Sequence, residues 1–163
     1  MSDFLLDANV FIEAKNRYYG FDICPGFWDA LVKLPFSSID RVRDELRLGN
    51  DEIRHWVEHV APPTAFLSTD SPEVQIAYSE VARWVESQPR FKQSAKTKFF
   101  QGADGWLVAY AVIHGRIVVT LETPAPESKN NVKLPDVCIA FNVQFLNTFE
   151  MLRSFGAPLI LGV

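Results

Sequence analysis

The stretch Phe4-Leu5-Leu6-Asp7-Ala8-Asn9-Val10-Phe11 decides the fold of this chain. It opens with a short apolar run that is too brief for a helix and is bounded at once by Asp7, which predicts a buried strand. A second strand is predicted at Ile117-Val118-Val119-Thr120-Leu121, whose β-branched residues are typical of a strand that is buried on both faces. Continuous apolar strands that are joined by helices indicate an α/β protein with a parallel sheet.

Helix start and stop signals fill the rest of the chain. Ser71-Pro72-Glu73 combines a capping hydroxyl, a proline at the first helical position and an acid in the first turn, and it predicts a helix that runs to Pro89. Ala103-Asp104 opens a nearly all-apolar helix that ends at Gly115 and is expected to lie centrally. Further helices are predicted over 27–34, from a cap at Ser37 or Ser38 to Leu48, from Asn50 or Asp51 to before Pro62, from Leu134, and up to about Phe155.

Length and composition predict one domain over 1–163. Hydrophobic residues make up 48% and charged residues 22%, which excludes a disordered chain, and no apolar run approaches the ~20 residues that span a membrane. The first residues lack the basic region of a secretory signal, and the two cysteines form neither a disulfide framework nor a paired metal motif, so a cytoplasmic location is expected. The formal net charge of −4 argues against a protein that holds nucleic acid mainly by bulk positive charge.

Acidic residues follow both predicted strands, Asp7 after the first and Glu122 after the second. In open α/β sheets, ligands bind beyond the carboxyl ends of the strands. Asp104 lies in the first turn of the apolar helix, and Glu45 lies about a quarter turn from the apolar stripe of its own helix. Each acid also has a plainer interpretation: Asp104 could cap its helix, and Glu45 could be a surface charge.

Carboxylates that meet in one place need compensation, because like charges oppose one another's ionisation. Either the four groups lie apart, or a divalent cation binds between them. Ligands that are all oxygen suit Mg²⁺ or Mn²⁺. Asn9 and Thr120 flank the same predicted edge and could contact the waters of such an ion.

The order and spacing of these segments resemble the PIN domain, the fold of VapC-like toxins and of many metal-dependent ribonucleases. The segment around Asp7 resembles the family's opening strand, Val42-Arg43-Asp44-Glu45-Leu46 its second acidic motif, and the segment that begins Ala103-Asp104 its third. Val118-Val119-Thr120-Leu121-Glu122 resembles its last strand, although many members have Asp where this chain has Glu122. Tyr18-Tyr19, the segment 25–28 and the segment 133–138 are similar to a bacterial PIN-like branch without an assigned function.

The resemblance implies a three-layer α/β/α fold with a central, mostly parallel sheet. It implies an endoribonuclease in which Asp7, Asp104 and Glu122 hold Mg²⁺ or Mn²⁺, with Glu45 on the rim of the site. It further implies the toxin of a type II toxin–antitoxin pair, an antitoxin partner of helix-turn-helix type, and a homodimer. Two alternatives compete with this interpretation: a catalytically weak or inactive PIN-like scaffold that binds a partner protein, and a haloacid-dehalogenase-type phosphatase. Asn9 argues against the phosphatase, which needs a second Asp at that position.

Basic segments beside the acids are candidates for binding RNA phosphates, and Lys15, Arg17, Lys96 and Lys129 are the residues predicted to do so. The alternative is that these side chains only solvate helix faces. Tyr18, Tyr19, Phe99 and Phe100 could stack on bases, although Phe99 and Phe100 are expected in the core.

Five further residues have structural interpretations. His55 and His59 are expected to be exposed rather than to bind zinc, because the segment lacks the Glu next to its first His that a zinc protease uses. Asp136 is expected to cap a helix. Cys24 and Cys138 are expected to be buried small residues.

Overall fold

The computed structural model describes residues 3–49 and 51–160. Its strands are β1 (Phe4–Leu6), β2 (Ser38–Ile39), β3 (Phe66–Leu67), β4 (Ile117–Val119) and β5 (Phe145–Leu146). Strand β4 pairs in parallel with both β1 and β5, and β2 pairs in parallel with β3. The Leu6 N–H donates to the Ser37 carbonyl and the Ser37 N–H to the Phe4 carbonyl, which joins β1 to β2. The strand order is therefore β3-β2-β1-β4-β5, and every neighbouring pair is parallel.

Helices connect the strands of this sheet along the chain. They are α1 (Ala8–Glu13), which continues as a π-helical turn (Ala14–Tyr18), then α2 (Pro25–Lys33), α3 (Asp40–Leu48), α4 (Glu52–His59), a 3₁₀ turn (Pro63–Ala65), α5 (Pro72–Ser87), α6 (Gln93–Gln101), α7 (Asp104–His114), α8 (Leu134–Ala140) and α9 (Thr148–Ser154). The predicted α/β fold with a mostly parallel central sheet is confirmed. None of the helices in the described part of the chain is long and apolar enough to cross a membrane.

Three predicted helix boundaries rest on local chemistry, and the structure confirms them. The Ser71 side chain accepts a hydrogen bond from the Val74 N–H at the start of α5. The Asp51 side chain accepts from the Ile53 and Arg54 N–H groups at the start of α4, and the alternative cap, Asn50, lies outside the described residues. Gly115 ends α7 in the left-handed conformation with φ 62°, which glycine adopts without a steric penalty.

The predicted cap at Ser37 or Ser38 is wrong. These residues belong to the sheet: Ser37 bridges to β1, and the Ser38 hydroxyl donates to the Leu6 carbonyl at 2.6 Å. Helix α3 begins only at Asp40. The predicted second strand is also shorter than expected, because β4 ends at Val119 and the Leu121 N–H bonds to the Asn9 side chain.

The core lies between the sheet and the apolar helix α7. Leu5 and Leu6 of β1 and Val118 and Val119 of β4 are fully buried, and the consecutive residues 107–109 show that α7 is buried on more than one side. Gly105, in the first turn of α7, permits close packing against α5, since a Cβ there would lie 2.9 Å from a Tyr78 ring carbon. The central position predicted for α7 is confirmed, and it places the start of that helix against the ends of β1 and β4.

Candidate functional site

The four predicted carboxylates gather at the carboxyl edge of the sheet. Asp7 directly follows β1, Glu122 lies three residues after the end of β4, Asp104 begins α7, and Glu45 lies in α3. Glu45, Asp104 and Glu122 line one cavity of about 250 Å³. Asp7 is not among the lining residues and is only 4% exposed. The charges of Glu122 and Glu45 nevertheless act on its carboxyl group.

The Asp7 carboxylate is buried in a polar network that spans both strand ends. Burial is the main cause that raises its pKa, to about 7, and the hydrogen bond from Thr120 opposes the shift. Thr120 Oγ1 donates to Asp7 Oδ2 at 3.0 Å and accepts from the Glu122 N–H at 3.1 Å. Asn9 Nδ2 also donates to Thr120 Oγ1, at 3.3 Å, while Asn9 Oδ1 accepts from the Leu121 N–H at 3.2 Å. Thr120 and Asn9 thus position Asp7 and the segment that carries Glu122.

Glu45 connects α3 to the start of α7. Its Oε1 accepts a hydrogen bond from the Ala103 N–H at 2.7 Å, and it approaches Gly102 so closely that a Cβ there would lie 3.4 Å from the same oxygen. Burial raises the pKa of Glu45, and the Ala103 hydrogen bond lowers it. The half-buried position predicted for Glu45 is confirmed, and its carboxylate holds the backbone at Ala103, the residue directly before α7.

Asp104 does not cap its own helix. Helix α7 starts from Ala103 without any side-chain capping bond, and hydrogen bonds are not among the causes that set the pKa of Asp104. Burial raises that pKa well above its ordinary value, and the charges of Asp7, Glu122 and Glu45 raise it further, whereas Lys133 lowers it. Among the described residues, Asp104 therefore faces the other three acids without a capping hydrogen bond.

Glu122 reaches across to α8. Its Oε2 accepts a hydrogen bond from the Leu134 N–H at 2.9 Å, at the first residue of that helix. The helical N-terminus favours a negative charge at this position. The Glu122 side chain thus links the segment after β4 to α8.

The predicted capping role of Asp136 is wrong. Helix α8 has no side-chain capping bond, and both Asp136 carboxylate oxygens accept from the Ala125 N–H, each at 3.1 Å. Asp136 is buried and fixes the segment between Glu122 and α8. The sequence signal, Pro135 followed by an acid, is the same for either role, so only the tertiary fold separates them.

The predicted phosphate-binding residues are largely engaged elsewhere. Lys15 Nζ lies 2.8 Å from Asp51 Oδ2, and Arg17 Nε lies 3.0 Å from Glu13 Oε2. Lys96 is only 8% exposed, and its Nζ donates to the Glu86 carbonyl at 2.7 Å, so Lys96 is a structural lysine and its predicted role is corrected. Lys129 is exposed but does not line the acidic cavity.

The predicted aromatic and histidine side chains differ in their exposure to solvent. Phe99 is buried, and Tyr19 stacks on Phe27 with ring centroids 4.4 Å apart. Tyr18 is 46% exposed and lines a second depression together with Arg17, Glu122 and Lys133. His55 and His59 are exposed, as expected.

The two cysteines differ from each other. Cys138 is fully buried, and burial, with the charges of Asp104 and Asp7, raises the pKa of its thiol to about 12. Cys24 is only half-buried, which corrects the expectation for that residue. Cys138 is therefore a neutral thiol beside the acidic cavity.

Comparisons with known proteins place this architecture in a family. The model of a family described as "Domain of unknown function (DUF4411)" matches residues 4–159. This chain belongs to the DUF4411 family. The crystal structure of FitAcB from Neisseria gonorrhoeae is similar, with a TM-score of 0.56 and 22% sequence identity over 90% of this chain and 98% of that chain. That likeness confirms the predicted PIN-like fold; no curated protein matches the chain.

Two lysines of this DUF4411 chain line the acidic cavity, Lys98 of α6 and Lys133 before α8. Both belong to basic segments that lie beside the acids in the sequence. In those segments, the sequence pattern predicts Lys96 and Lys129 as the phosphate-binding residues instead. The signal that separates them is tertiary, because only the packing of α6 shows which lysine is turned to the core. Within residues 3–49 and 51–160, no three His, Cys, Asp or Glu side chains are grouped so that they could hold a metal ion as they stand.

Proposed function

We propose that this protein is a Mg²⁺- or Mn²⁺-dependent endoribonuclease and the toxin of a type II toxin–antitoxin pair. The observation that carries the proposal is the meeting of Asp7, Glu45, Asp104 and Glu122 at the carboxyl edge of a parallel sheet. These residues come from segments far apart in the sequence. The charges of Glu45 and Glu122 raise the pKa of Asp7, and the charges of Asp7, Glu45 and Glu122 raise the pKa of Asp104. Such a cluster is costly without a ligand, and perturbed carboxylates in a cleft indicate a functional site.

The donor chemistry of the cluster fits a hard divalent cation. Its side-chain ligands are all oxygen, and we propose Asp7, Asp104 and Glu122 as the residues that hold the ion, with Asn9 and Thr120 next to them. Mg²⁺ keeps several of its waters and is usually bound by only one or two carboxylates. A cavity of about 250 Å³ has room for roughly eight waters at ~30 Å³ each, which is enough for a hydrated ion.

The chemistry divides between the ion and the chain. When bound, the ion would lower the pKa of a water and offset the charge that develops at the phosphorus. The chain orients the carboxylates through Thr120 and the helix N-termini, and its buried wall limits the access of bulk water. Cys138 cannot serve as a nucleophile, since its thiol is fully buried and its pKa is about 12.

Partners follow from the same proposal. PIN-domain toxins, which the sequence resembles, pair with an antitoxin, and the fold shared with FitAcB supports an antitoxin partner for this chain as well. A homodimer is part of the proposal, and light scattering that finds only a monomer at high concentration would remove it.

One observation favours the alternative of an inactive scaffold. Glu45 accepts a hydrogen bond from Ala103, directly before α7, and Glu122 accepts one from Leu134, the first residue of α8, so two of the four acids have a structural use. In a scaffold, these two acids would fix α7 and α8 and no cleavage would occur.

The variant Asp104→Asn distinguishes a nuclease from an inactive scaffold. The Asp104 carboxylate lies near the other three acids but does not cap its helix, so its charge can be removed without the loss of a capping bond. Purified protein is incubated with single-stranded RNA in Mg²⁺, in Mn²⁺ and in EDTA. We expect cleavage only with an ion, and a loss of roughly a hundredfold or more in Asp104→Asn, since even outer-shell partners of a metal are worth 10–100-fold.

Asp44→Asn is the matched control, because Asp44 lies on the same helix as Glu45 with a side chain that is 62% exposed. It should cleave as the wild type does. Wild-type protein that leaves RNA intact with both ions, or an Asp104→Asn variant as active as the wild type, would contradict the nuclease and favour the scaffold.

A further inference from the structure

Basic side chains near the site fall into two groups. Lys15, Arg17 and Lys96 already have partners in Asp51, Glu13 and the Glu86 carbonyl. Lys98 and Lys133 instead line the same cavity as Glu45, Asp104 and Glu122. Among the described residues, neither of these two lysines forms an ion pair with a carboxylate.

The positions of the two lysines leave space between opposite charges. Lys133 is close enough for its charge to act on Asp104, yet it forms no contact ion pair with that residue. Lys98 reaches the cavity from α6, and Lys133 reaches it from the residue before α8. An anionic group can therefore enter between the lysines and the carboxylates. An acidic cavity repels a phosphate unless cations on its own wall offset the repulsion.

Lys133 also has a fixed backbone. Its carbonyl accepts from the Asp136 and Val137 N–H groups, and the next residue, Leu134, donates to Glu122. The side chain borders both the acidic cavity and the depression that Arg17 and Tyr18 line. Lys133 therefore lies between the acidic cavity and the depression that contains Tyr18, where an extended ligand could contact both.

We propose that Lys98 and Lys133 bind phosphates of a single-stranded RNA on either side of the acidic cluster. The inference rests on the proposed function and names the residues that position its substrate. It predicts that two lysines make direct phosphate contacts, in contrast to a general electrostatic attraction by all of the basic segments.

The test measures binding rather than cleavage. A fluorescently labelled, short single-stranded RNA is titrated with protein in EDTA, and anisotropy gives the dissociation constant over a series of salt concentrations. Each lost phosphate contact should lower the slope of log K against log salt by about 0.7. We expect this decrease, with affinity about tenfold weaker, for Lys133→Met and for Lys98→Met.

Lys129→Met is the matched control, because Lys129 is exposed on the same segment as Lys133 but does not line the cavity. It should bind within about twofold of the wild type with an unchanged slope, and Lys133→Arg should keep the wild-type slope. A thermal melt identifies a variant that does not fold, and Lys98→Met then carries the test from a different helix.

The outcomes separate this inference from the proposed function. An equal loss in Lys129→Met and Lys133→Met, unchanged slopes in both lysine variants, or absence of RNA binding by the wild type would overturn the inference. If the wild type cleaves RNA while the lysine variants bind normally, the nuclease stands and the inference fails. If no ion supports cleavage but the slopes fall as expected, the lysine sites stand and the nuclease fails.

Discussion

The Thr120 hydroxyl is the point at which the two strand ends become one site. It donates to Asp7 and accepts from Glu122 N–H and Asn9 Nδ2, so a single oxygen links the segment after β1 to the segment after β4. Its bond to Asp7 favours the ionised carboxylate and partly offsets burial. The predicted role of Thr120 and Asn9 at an ion stays a prediction, but their hydrogen bonds to the acidic network are sufficient to make them positioning residues.

Asp7 should destabilise the protein at neutral pH when no divalent ion is present. Its pKa rises from 3.8 to about 7 on folding, so the folded state binds more protons between these values. The free energy of unfolding therefore falls as the pH rises through this window. Asp7→Asn carries no charge and keeps an oxygen for the Thr120 hydroxyl. In EDTA at about pH 8 it should raise the free energy of unfolding by roughly 1–3 kcal/mol.

The pH series supplies the check on this prediction. Denaturant unfolding of both proteins should give equal stability near pH 3, below both pKa values, where the Asp7 carboxyl is largely protonated in the folded and the unfolded chain. The difference should then grow up to about pH 7. Asp44→Asn, at an exposed position, should stay within about 0.5 kcal/mol of the wild type throughout. A variant less stable than the wild type at pH 8 would show that the Asp7 charge is compensated within the fold.

At the scale of elements, prediction worked where local chemistry sets a boundary. Ser71, Asp51 and Gly115 each act through bonds or backbone angles within a few residues, which the sequence displays. It failed at β2 and β3, since two-residue strands carry no periodicity and are fixed only by pairing across the sheet. The serines before α3 have good capping chemistry, but their partners are in β1, a choice that depends on tertiary structure.

The link between α3 and α7 gives a prediction at this scale. Glu45→Gln keeps an oxygen for the Ala103 N–H and should change stability by less than about 0.5 kcal/mol, whereas Glu45→Ala removes the bond and should cost roughly 1–2 kcal/mol. If Glu45 also serves the nuclease, both variants should lose cleavage. Denaturant unfolding and the RNA assay together make this comparison. Equal stability of Glu45→Ala and the wild type would contradict the linking role.

At the scale of the whole molecule, the site depends on a meeting that no local pattern shows. Thr120 and Asp7 are 113 residues apart in the sequence. Two acids could be predicted because each follows an apolar strand, and strand ends meet at one edge of a parallel sheet. That Lys133 lines the cavity and Lys129 does not could not be predicted from the sequence, because it depends on how the segment fixed by Asp136 is placed. The net charge of −4 likewise says nothing of how locally the acids are concentrated.

A divalent ion should stabilise the entire fold, since it binds the folded chain at carboxylates brought together only by folding. Mn²⁺ at about a hundred times its dissociation constant should add ~2.7 kcal/mol to the free energy of unfolding. A thermal melt of the wild type should therefore rise by several degrees on addition of Mn²⁺ and fall back in excess EDTA. Asp104→Asn should show little of this rise, whereas Asp44→Asn should show all of it. Equal rises in both variants would mean that Mn²⁺ binds elsewhere, and the acidic cavity would then need another occupant to explain why Glu45, Asp104 and Glu122 line it.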